Sequence, residues 1–379
     1  MLRNETDEQQ KGMDATHLTP YPLDPFSPGT GPYHAPAEGD GLSLLEAMGD
    51  NPTAIVHYAL AQWNRYIATN DASSLGLFQT FVQWFLDHEV RIDSDASGWP
   101  VSSSQPAGYK SYPRLSAVTQ GCALSLFRRA YEATKEQSYL AVMQRVARTF
   151  ERDILDGGVS APIGDDGIFF EEVASYPAAH SLSGCMFALL GLYDYGALFP
   201  DIEGDERIQR CLKTLHIFFE EFDTGFWTRT DLLHRDLASD AELLLQTQLL
   251  EALVAYSGCE HCSLVVSRWK SYRMQVRTRL HWKVNQTCAF VLKAIGRRLQ
   301  ARLFRISQSS PLLRVCVPVY AFPVIGGTRA VLAGMAQVTT GTWHIEYLTQ
   351  HRGPNPDVLT IYTFGAKRTT PWLFPLVLL

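Results

Sequence analysis

The sequence predicts a mainly α-helical protein built on an (α/α) toroid, or barrel, of about four helix hairpins. Apolar residues recur at helical spacing from about residue 51 to residue 272. The helical stretches come in pairs, and part of the pattern returns after about 65 residues. The chain has 379 residues, of which 46% are hydrophobic and 19% are charged, so it is long enough and apolar enough to bury a large core.

The predicted hairpins follow a proline- and glycine-rich start. Residues 1–45 read as an irregular lead-in. Asn51-Pro52 then predicts a capped helix start, since Asn caps well and proline suits the first turn. Helical segments pair at 51–66 with 75–85, 115–133 with 139–154, 182–198 with 206–222, and 241–256 with a tail to about 272. Stacked hairpins of this period can close into a toroid of alternating inner and outer helices, here residues 46–273.

The pattern changes after the hairpins. Residues 274–312 are basic and predict a linker that includes a helix. Residues 313–379 predict a partial α/β fragment: a strand from Arg314, a Gly326-Gly327 turn, a helix over 329–337 and a second strand near 343–348. This fragment resembles the start of a GT-B glycosyltransferase, and it is too short to form a whole one.

Composition narrows the function classes. A net charge of -6 and a pI near 6.0 argue against a nucleic-acid-binding protein. No apolar stretch reaches the roughly 18 residues that a membrane span needs. The seven cysteines are an odd number, and no secretory leader is apparent, so we expect free thiols and a cytoplasmic location. A lone Cys259-Glu-His-Cys262 is weak support for a metal, and we predict an ordinary loop there.

The loops before the inner helices carry the unusual residues. Loops 41–51, 99–115, 163–181 and 224–240 are expected to line one end of the toroid. Their aromatic and cationic side chains suit an acidic sugar polymer, because rings stack on sugar faces and cations pair with carboxylates. The substrate-binding candidates from these loops are Trp99, Tyr109, Lys110, Tyr112, Arg114, Trp227, Arg229 and Arg235.

A run of motifs across residues 50–273 resembles the D-glucuronyl C5-epimerase family, in its C-terminal catalytic domain. The motifs include Gly98-Trp99-Pro100, Ser116 to Gly121, Glu171-Glu172, Tyr176-Pro177, Gly191-Leu-Tyr-Asp194, Asp231-Leu232 and Arg268 to Tyr272. The resemblance implies an (α/α) barrel, often a homodimer, that epimerises glucuronic acid residues of a heparosan-type polysaccharide. It implies no metal or nucleotide cofactor, and it adds Gln120 to the binding residues.

The implied chemistry removes the C5 proton of the sugar and returns a proton to the opposite face, which requires a base and an acid. The resemblance offers Tyr176, Glu171 or Glu172, and His234 for these roles. Two family tyrosines are replaced, at Thr230 and Glu242, and Glu242 can act as base in place of one of them. Two alternatives stay open: a degenerate, non-catalytic glycan-binding domain fused to a glycosyltransferase, and a polysaccharide lyase or hydrolase on an (α/α) toroid.

Overall fold

A computed structural model describes residues 18–24, 41–49, 51–101, 113–200, 202–288, 314–318, 344–349 and 360–363. The chain divides into two compact units, Met1–Trp282 and Lys283–Leu379. The first unit contains the helix hairpins and the candidate site. None of its described helices, nor any other described helix, is both long enough and apolar enough to cross a membrane.

Four helix hairpins follow one another in the described part of the first unit, after a short helix α1 (Gly41–Met48). The inner helices are α2 (Pro52–Thr69), α4 (Ala117–Thr134), α6 (Leu182–Gly196) and α8 (Asp240–Ser257). The outer helices are α3 (Ala72–Asp87), α5 (Gln137–Ala147), α7 (Ile202–Phe222) and α9 (Glu260–Met274). Consecutive inner helices pack on each other, and each outer helix packs on the inner helix before it. The predicted (α/α) architecture is confirmed.

The sequence repeat corresponds to a repeated helix end. Inner helices α2 and α4 end at Asn70 and Lys135, which are 65 positions apart and both left-handed, with φ of 56° and 61°. The threonine before each of these residues donates its hydroxyl to the carbonyl oxygen four residues earlier, at 2.7 Å for Thr69 and 3.0 Å for Thr134. The repeat of about 65 residues, which relates residues 65–75 to residues 131–140, therefore encodes the same turn between an inner and an outer helix.

Two antiparallel strand pairs lie in the connections between hairpins. Strands β1 (Val90–Arg91) and β2 (Ser97–Gly98) follow α3. Strands β3 (Ser160–Ile163) and β4 (Gly167–Phe170) follow α5, with Ser160 opposite Phe170. Strand β4 ends directly before the Glu171-Glu172 pair. Its side chains Phe169 and Phe170 are buried in the core and hold the strand in place.

Inner helices α4 and α6 are in backbone contact. A Cβ atom on Gly191 would lie 2.1 Å from the carbonyl oxygen of Gly121, and one on Gly121 would lie 2.6 Å from that of Phe187. Because real Cβ contacts are never this short, any side chain at either glycine requires the helices to separate. These two glycines set the spacing of the two central inner helices.

A buried ionic cluster closes the C-terminal ends of the inner helices. Asp194 of α6 accepts hydrogen bonds from Arg128 and Arg129 of α4, both at 2.6 Å, and from the hydroxyl of Tyr256 of α8 at 2.8 Å. Arg129 also donates to the carbonyl oxygen of Pro20 at 2.8 Å. The cluster thus joins three inner helices to the described part of the lead-in.

The described lead-in residues 18–24 lie against the first hairpin. The side-chain amide of Asn64 accepts from the backbone of Tyr21 at 2.8 Å and donates to the carbonyl oxygens of Tyr21 and Leu23 at 3.0 and 2.9 Å. One side chain thereby satisfies three backbone groups of an irregular segment. The remaining lead-in residues, 1–17 and 25–40, lie outside the described residues.

The second unit contains three parallel strands in the order β5 (Arg314–Pro318), β6 (His344–Thr349), β7 (Thr360–Thr363). Strands β5 and β6 agree with the two predicted strands. The predicted diglycine turn and the helix over 329–337 lie outside the described residues, as does most of the predicted basic linker. The domain boundaries and the glycosyltransferase resemblance remain predictions.

Candidate functional site

The first turns of the four inner helices line one cavity of about 710 Å³. Each helix begins at a capping residue whose side chain accepts a backbone N–H three positions later, at 3.0 to 3.4 Å. The caps are Asn51, Ser116, Ser181 and Ser239. Helix N-termini carry a positive partial charge, so four of them at one cavity favour negative groups there.

Two carboxylates stand on the cavity wall. Glu172 comes from the loop after β4, and Glu242 comes from the first turn of α8. Each carboxylate is held by a serine of the α6 start: the hydroxyl of Ser181 donates to Glu172, and the hydroxyl of Ser183 donates to Glu242. Gln246, one turn along α8, donates to Glu242 at 3.4 Å. Helix α6 therefore positions both acidic groups.

Glu242 is the carboxylate that holds a proton more readily than usual. Burial raises its pKa above the ordinary glutamate value, and the negative charge of Glu172 raises it further. The hydrogen bonds from Ser183 and Gln246 lower the pKa, but burial outweighs them. Two interacting carboxylates with one pKa pushed up are the usual arrangement of an acid and base pair.

The neighbouring carboxylate, Glu171, stabilises a loop and does not line the cavity. Its side chain is fully buried and accepts the backbone N–H groups of Ala179 and His180 at 3.1 and 2.9 Å. The ring Nδ1 of His180 lies 2.7 Å from the same carboxylate, and the His180 backbone is left-handed with φ of 54°. Glu171 thus fixes the loop that leads into α6, while Glu172 alone of the pair lines the cavity.

Gly184 allows Glu172 to reach its position. A Cβ atom at Gly184 would lie 2.6 Å from the Cβ of Glu172 and 2.8 Å from its Cα. The backbone of Glu172 therefore rests directly on the first turn of α6. A larger residue at this place must displace Glu172 from the cavity wall, because the backbone of Glu172 itself is in the way.

Two other predicted catalytic residues do not line this cavity. The side chain of Tyr176 is half exposed on the loop before α6. The His234 side chain is 64% exposed, and its Nδ1 lies 3.2 Å from an oxygen of Asp231. The backbone of Ser181 bridges to that of Asp231, so these residues stand near the start of α6 and outside the described cavity wall.

Three predicted binding residues lie in the core and are not part of the cavity wall. Trp99 and Trp227 are fully buried and donate their indole N–H groups to the carbonyl oxygens of Phe85 and Ala238, at 2.8 and 2.9 Å. Gln120 is buried as well and donates to the Trp99 carbonyl oxygen at 3.0 Å. Each indole satisfies its single donor inside the fold, so these aromatic rings pack the scaffold.

Only some of the predicted cationic residues lie within the described part of the chain. Arg229 donates to the backbone oxygen of Glu221 at 2.9 Å, and Arg235 pairs with the side chain of the same residue. The backbone oxygen of Arg114 accepts from Val101 at 2.8 Å. Tyr109, Lys110 and Tyr112 lie outside the described residues. None of the described residues on the cavity wall is Arg, Lys or His.

Ser183 was not among the site residues predicted from the sequence. In the structure its hydroxyl donates to Glu242. The available signal was the spacing Ser181-x-Ser183 at a helix start beside the Glu-Glu loop. Thr230 also lines the cavity, at a position where the resemblance expected a tyrosine.

Residues 93–271 match the family described as "D-glucuronyl C5-epimerase C-terminus". The resemblance to this epimerase domain is confirmed over that stretch. It extends from the connection after α3 into α9, and it includes Glu172, Ser183 and Glu242. The epimerase-type stretch therefore contains the two carboxylates of the cavity and three of the four inner helices.

Three known proteins are similar to part of this chain. A D-glucuronyl C5-epimerase of Caenorhabditis elegans is 24% identical, over 51% of this chain and 35% of its own length. An uncharacterised protein of Methanocaldococcus jannaschii is 23% identical, over 52% and 58%. An unsaturated glucuronyl hydrolase of Bacillus sp. GL1 aligns at 14% identity with a TM-score of 0.43, over 61% and 63%. The chain spans from about a third to three-fifths of the two sequence relatives.

Proposed function

We propose that the chain is a sugar epimerase with Glu172 and Glu242 as its base and acid. The proposed substrate is D-glucuronic acid within a heparosan-type polysaccharide, and the proposed change is inversion at C5. One observation carries the proposal: two carboxylates of the epimerase-type stretch, one with a raised pKa, lie on the wall of one cavity. The substrate class rests on the family match.

The reaction needs one group on each face of the sugar. Glu172 takes the C5 proton, and the electron pair of the breaking C–H bond moves into the sugar carboxylate to give an enediolate-like intermediate. Glu242, in its protonated form, returns a proton to the opposite face and the new C5–H bond forms. Afterwards the two glutamates have exchanged protonation states, so exchange with water or the reverse reaction resets them.

The intermediate carries additional negative charge, which has to be stabilised. Four helix N-termini point at the cavity, and backbone N–H groups aimed at developing charge stabilise an anion without reorganisation. The helix N-termini supply a positive potential at the cavity, where no Arg, Lys or His is among the described wall residues. The raised pKa of Glu242 supports its role as acid, because more of it is protonated at a given pH.

Binding without catalysis is a second candidate function. It is favoured by Thr230, which occupies the cavity wall with a short hydroxyl side chain where the resemblance expects tyrosine. Threonine cannot act as a proton donor or acceptor near neutral pH in the way that a tuned tyrosine can. The cavity would then hold a uronic acid residue for a partner activity.

Deuterium uptake at C5 tests the proposal. The protein is incubated in D2O with N-acetylated or N-sulfated heparosan, and the uronic acid signals are followed by NMR. We expect uptake with some iduronic acid, and a loss of about 10²- to 10⁴-fold in Glu242→Gln and in Glu172→Gln. Glu136→Gln, an exposed position at the start of outer helix α5, is the matched control and should keep the wild-type rate.

Each other outcome has a defined meaning. Binding of heparosan by the wild type without deuterium uptake would contradict the epimerase proposal and favour the second candidate. Uptake that survives in both glutamine variants would exclude the carboxylate pair while leaving the epimerase activity. New unsaturated chain ends would identify a lyase, because elimination starts with the same proton abstraction.

A further inference from the structure

The outer helices α7 and α9 bring three sulfur and nitrogen donors together, away from the cavity. The Nε2 atom of His216, on α7, lies 3.1 Å from Sγ of Cys259 and 3.4 Å from Sγ of Cys262. Cys259 is the N-cap of α9, and Cys262 lies in its first turn. All three ligand atoms fall within 4.8 Å of one another.

We propose that His216, Cys259 and Cys262 form a binding site for Zn²⁺ or a similar thiophilic metal ion. Two thiolates and one imidazole are a donor set that zinc prefers. A Cys₂His set leaves one tetrahedral position for water or an added ligand. The sequence predicted only a loop here, because the third donor lies 43 positions before Cys259 on another helix.

The surroundings of the three donors fit a metal site. Cys262 is buried, whereas His216 and Cys259 are partly exposed. The site therefore combines one enclosed sulfur with two donors that solvent reaches, which gives a metal ion a path of entry. On binding, each thiol releases a proton to solvent and the neutral imidazole donates a lone pair.

The short distance between the two sulfur atoms suggests a competing interpretation, a disulfide between Cys259 and Cys262. Sγ of Cys259 and Sγ of Cys262 are 2.6 Å apart. Around a zinc ion with about 2.3 Å bonds, two sulfurs separate to about 3.8 Å, so the thiols must rotate apart. Alternatively they lose two electrons to an oxidant and join as a disulfide. The position of His216 beside both sulfurs favours the metal, since a disulfide needs no third donor.

Metal titration of the whole chain under reducing conditions tests the site. We expect one equivalent of Co²⁺ to give sulfur-to-metal charge-transfer absorption, which Zn²⁺ then displaces. We expect Cys259→Ser and His216→Ala to weaken Zn²⁺ binding at least about tenfold, because loss of a residue that only supports a ligand already costs that much. Cys288→Ser removes an exposed free thiol elsewhere and should bind as the wild type does.

Two results would overturn the site. One is the absence of charge-transfer absorption in the reduced wild type while circular dichroism shows a folded protein. The other is a titration that Cys259→Ser and His216→Ala leave unchanged. A chain that forms the Cys259–Cys262 disulfide and binds no metal after reduction would assign the pair to redox chemistry. None of these readouts involves the carbohydrate, so the test is independent of the proposed epimerase activity.

Discussion

The two ends of the inner helices shift the pKa values of buried acidic side chains in opposite directions. At the C-terminal end, burial opposes ionisation of Asp194, but the charges of Arg129 and Arg128 outweigh it and keep the pKa of Asp194 below its usual value. At the N-terminal end, burial and a second carboxylate keep the pKa of Glu242 above its usual value. At the C-terminal end, two arginines neutralise Asp194 and stabilise the fold. At the N-terminal end, two carboxylates share a cavity wall whose described residues include no cation, and this arrangement suits proton transfer.

Removal of the acid at the C-terminal end should have the largest effect. Asp194→Ala leaves Arg129 buried without its partner, and loss of one member of such a pair costs about 3–5 kcal/mol of the free energy of unfolding. Denaturant titration measures this loss. Glu251→Gln, which breaks the exposed pair with Lys270, is the control and should cost less than about 1 kcal/mol. Equal costs for the two variants would mean that the buried cluster is not a structural centre.

A change in the backbone contact at the N-terminal end should have an intermediate effect. Gly184→Ala forces Glu172 away from α6 and should cost about 1–3 kcal/mol, as overpacking does, together with a loss of deuterium exchange. The control is Gly76→Ala on outer helix α3, where a Cβ atom meets nothing within 4 Å. This control should stabilise the protein by up to about 1 kcal/mol, because alanine favours helices. A stabilised, fully active Gly184→Ala would contradict the close approach.

The pH dependence of stability should show the smallest effect. The pKa of Glu242 is higher in the folded than in the unfolded chain. Its stabilising contribution is therefore fully present below the unfolded pKa of about 4.3, and it is lost as pH rises through the folded pKa. We expect the free energy of unfolding of the wild type, relative to Glu242→Gln, to fall as the pH rises over that interval. A difference that grows with pH would refute the raised pKa.

The architecture could be predicted from the sequence because its signals are local. Helical spacing, the Asn51-Pro52 start and the repeat at Thr69 and Thr134 each depend on a few neighbouring residues. The structure confirms the four hairpins at those places. Strands β1 to β4 and β7 were not predicted, since each is only two to four residues long.

The site could be predicted only in part because side-chain direction depends on tertiary contacts. Glu171 and Glu172 are adjacent and chemically identical, yet one binds the His180 loop and the other lines the cavity. Trp99 and Trp227 lie in loops, but backbone carbonyl groups inside the fold accept their indole protons. Sequence spacing cannot report such partners, which lie 11 to 14 positions away.

The glycine contact between α4 and α6 has a consequence for how this cavity can vary. Ser116 at the start of α4 and Ser183 at the start of α6 both line the cavity, and Gly121 and Gly191 hold these two helices in backbone contact. Replacement of either glycine by a small residue would act as a wedge inside the fold. The width of the cavity opening is therefore controlled by two residues that do not line the cavity.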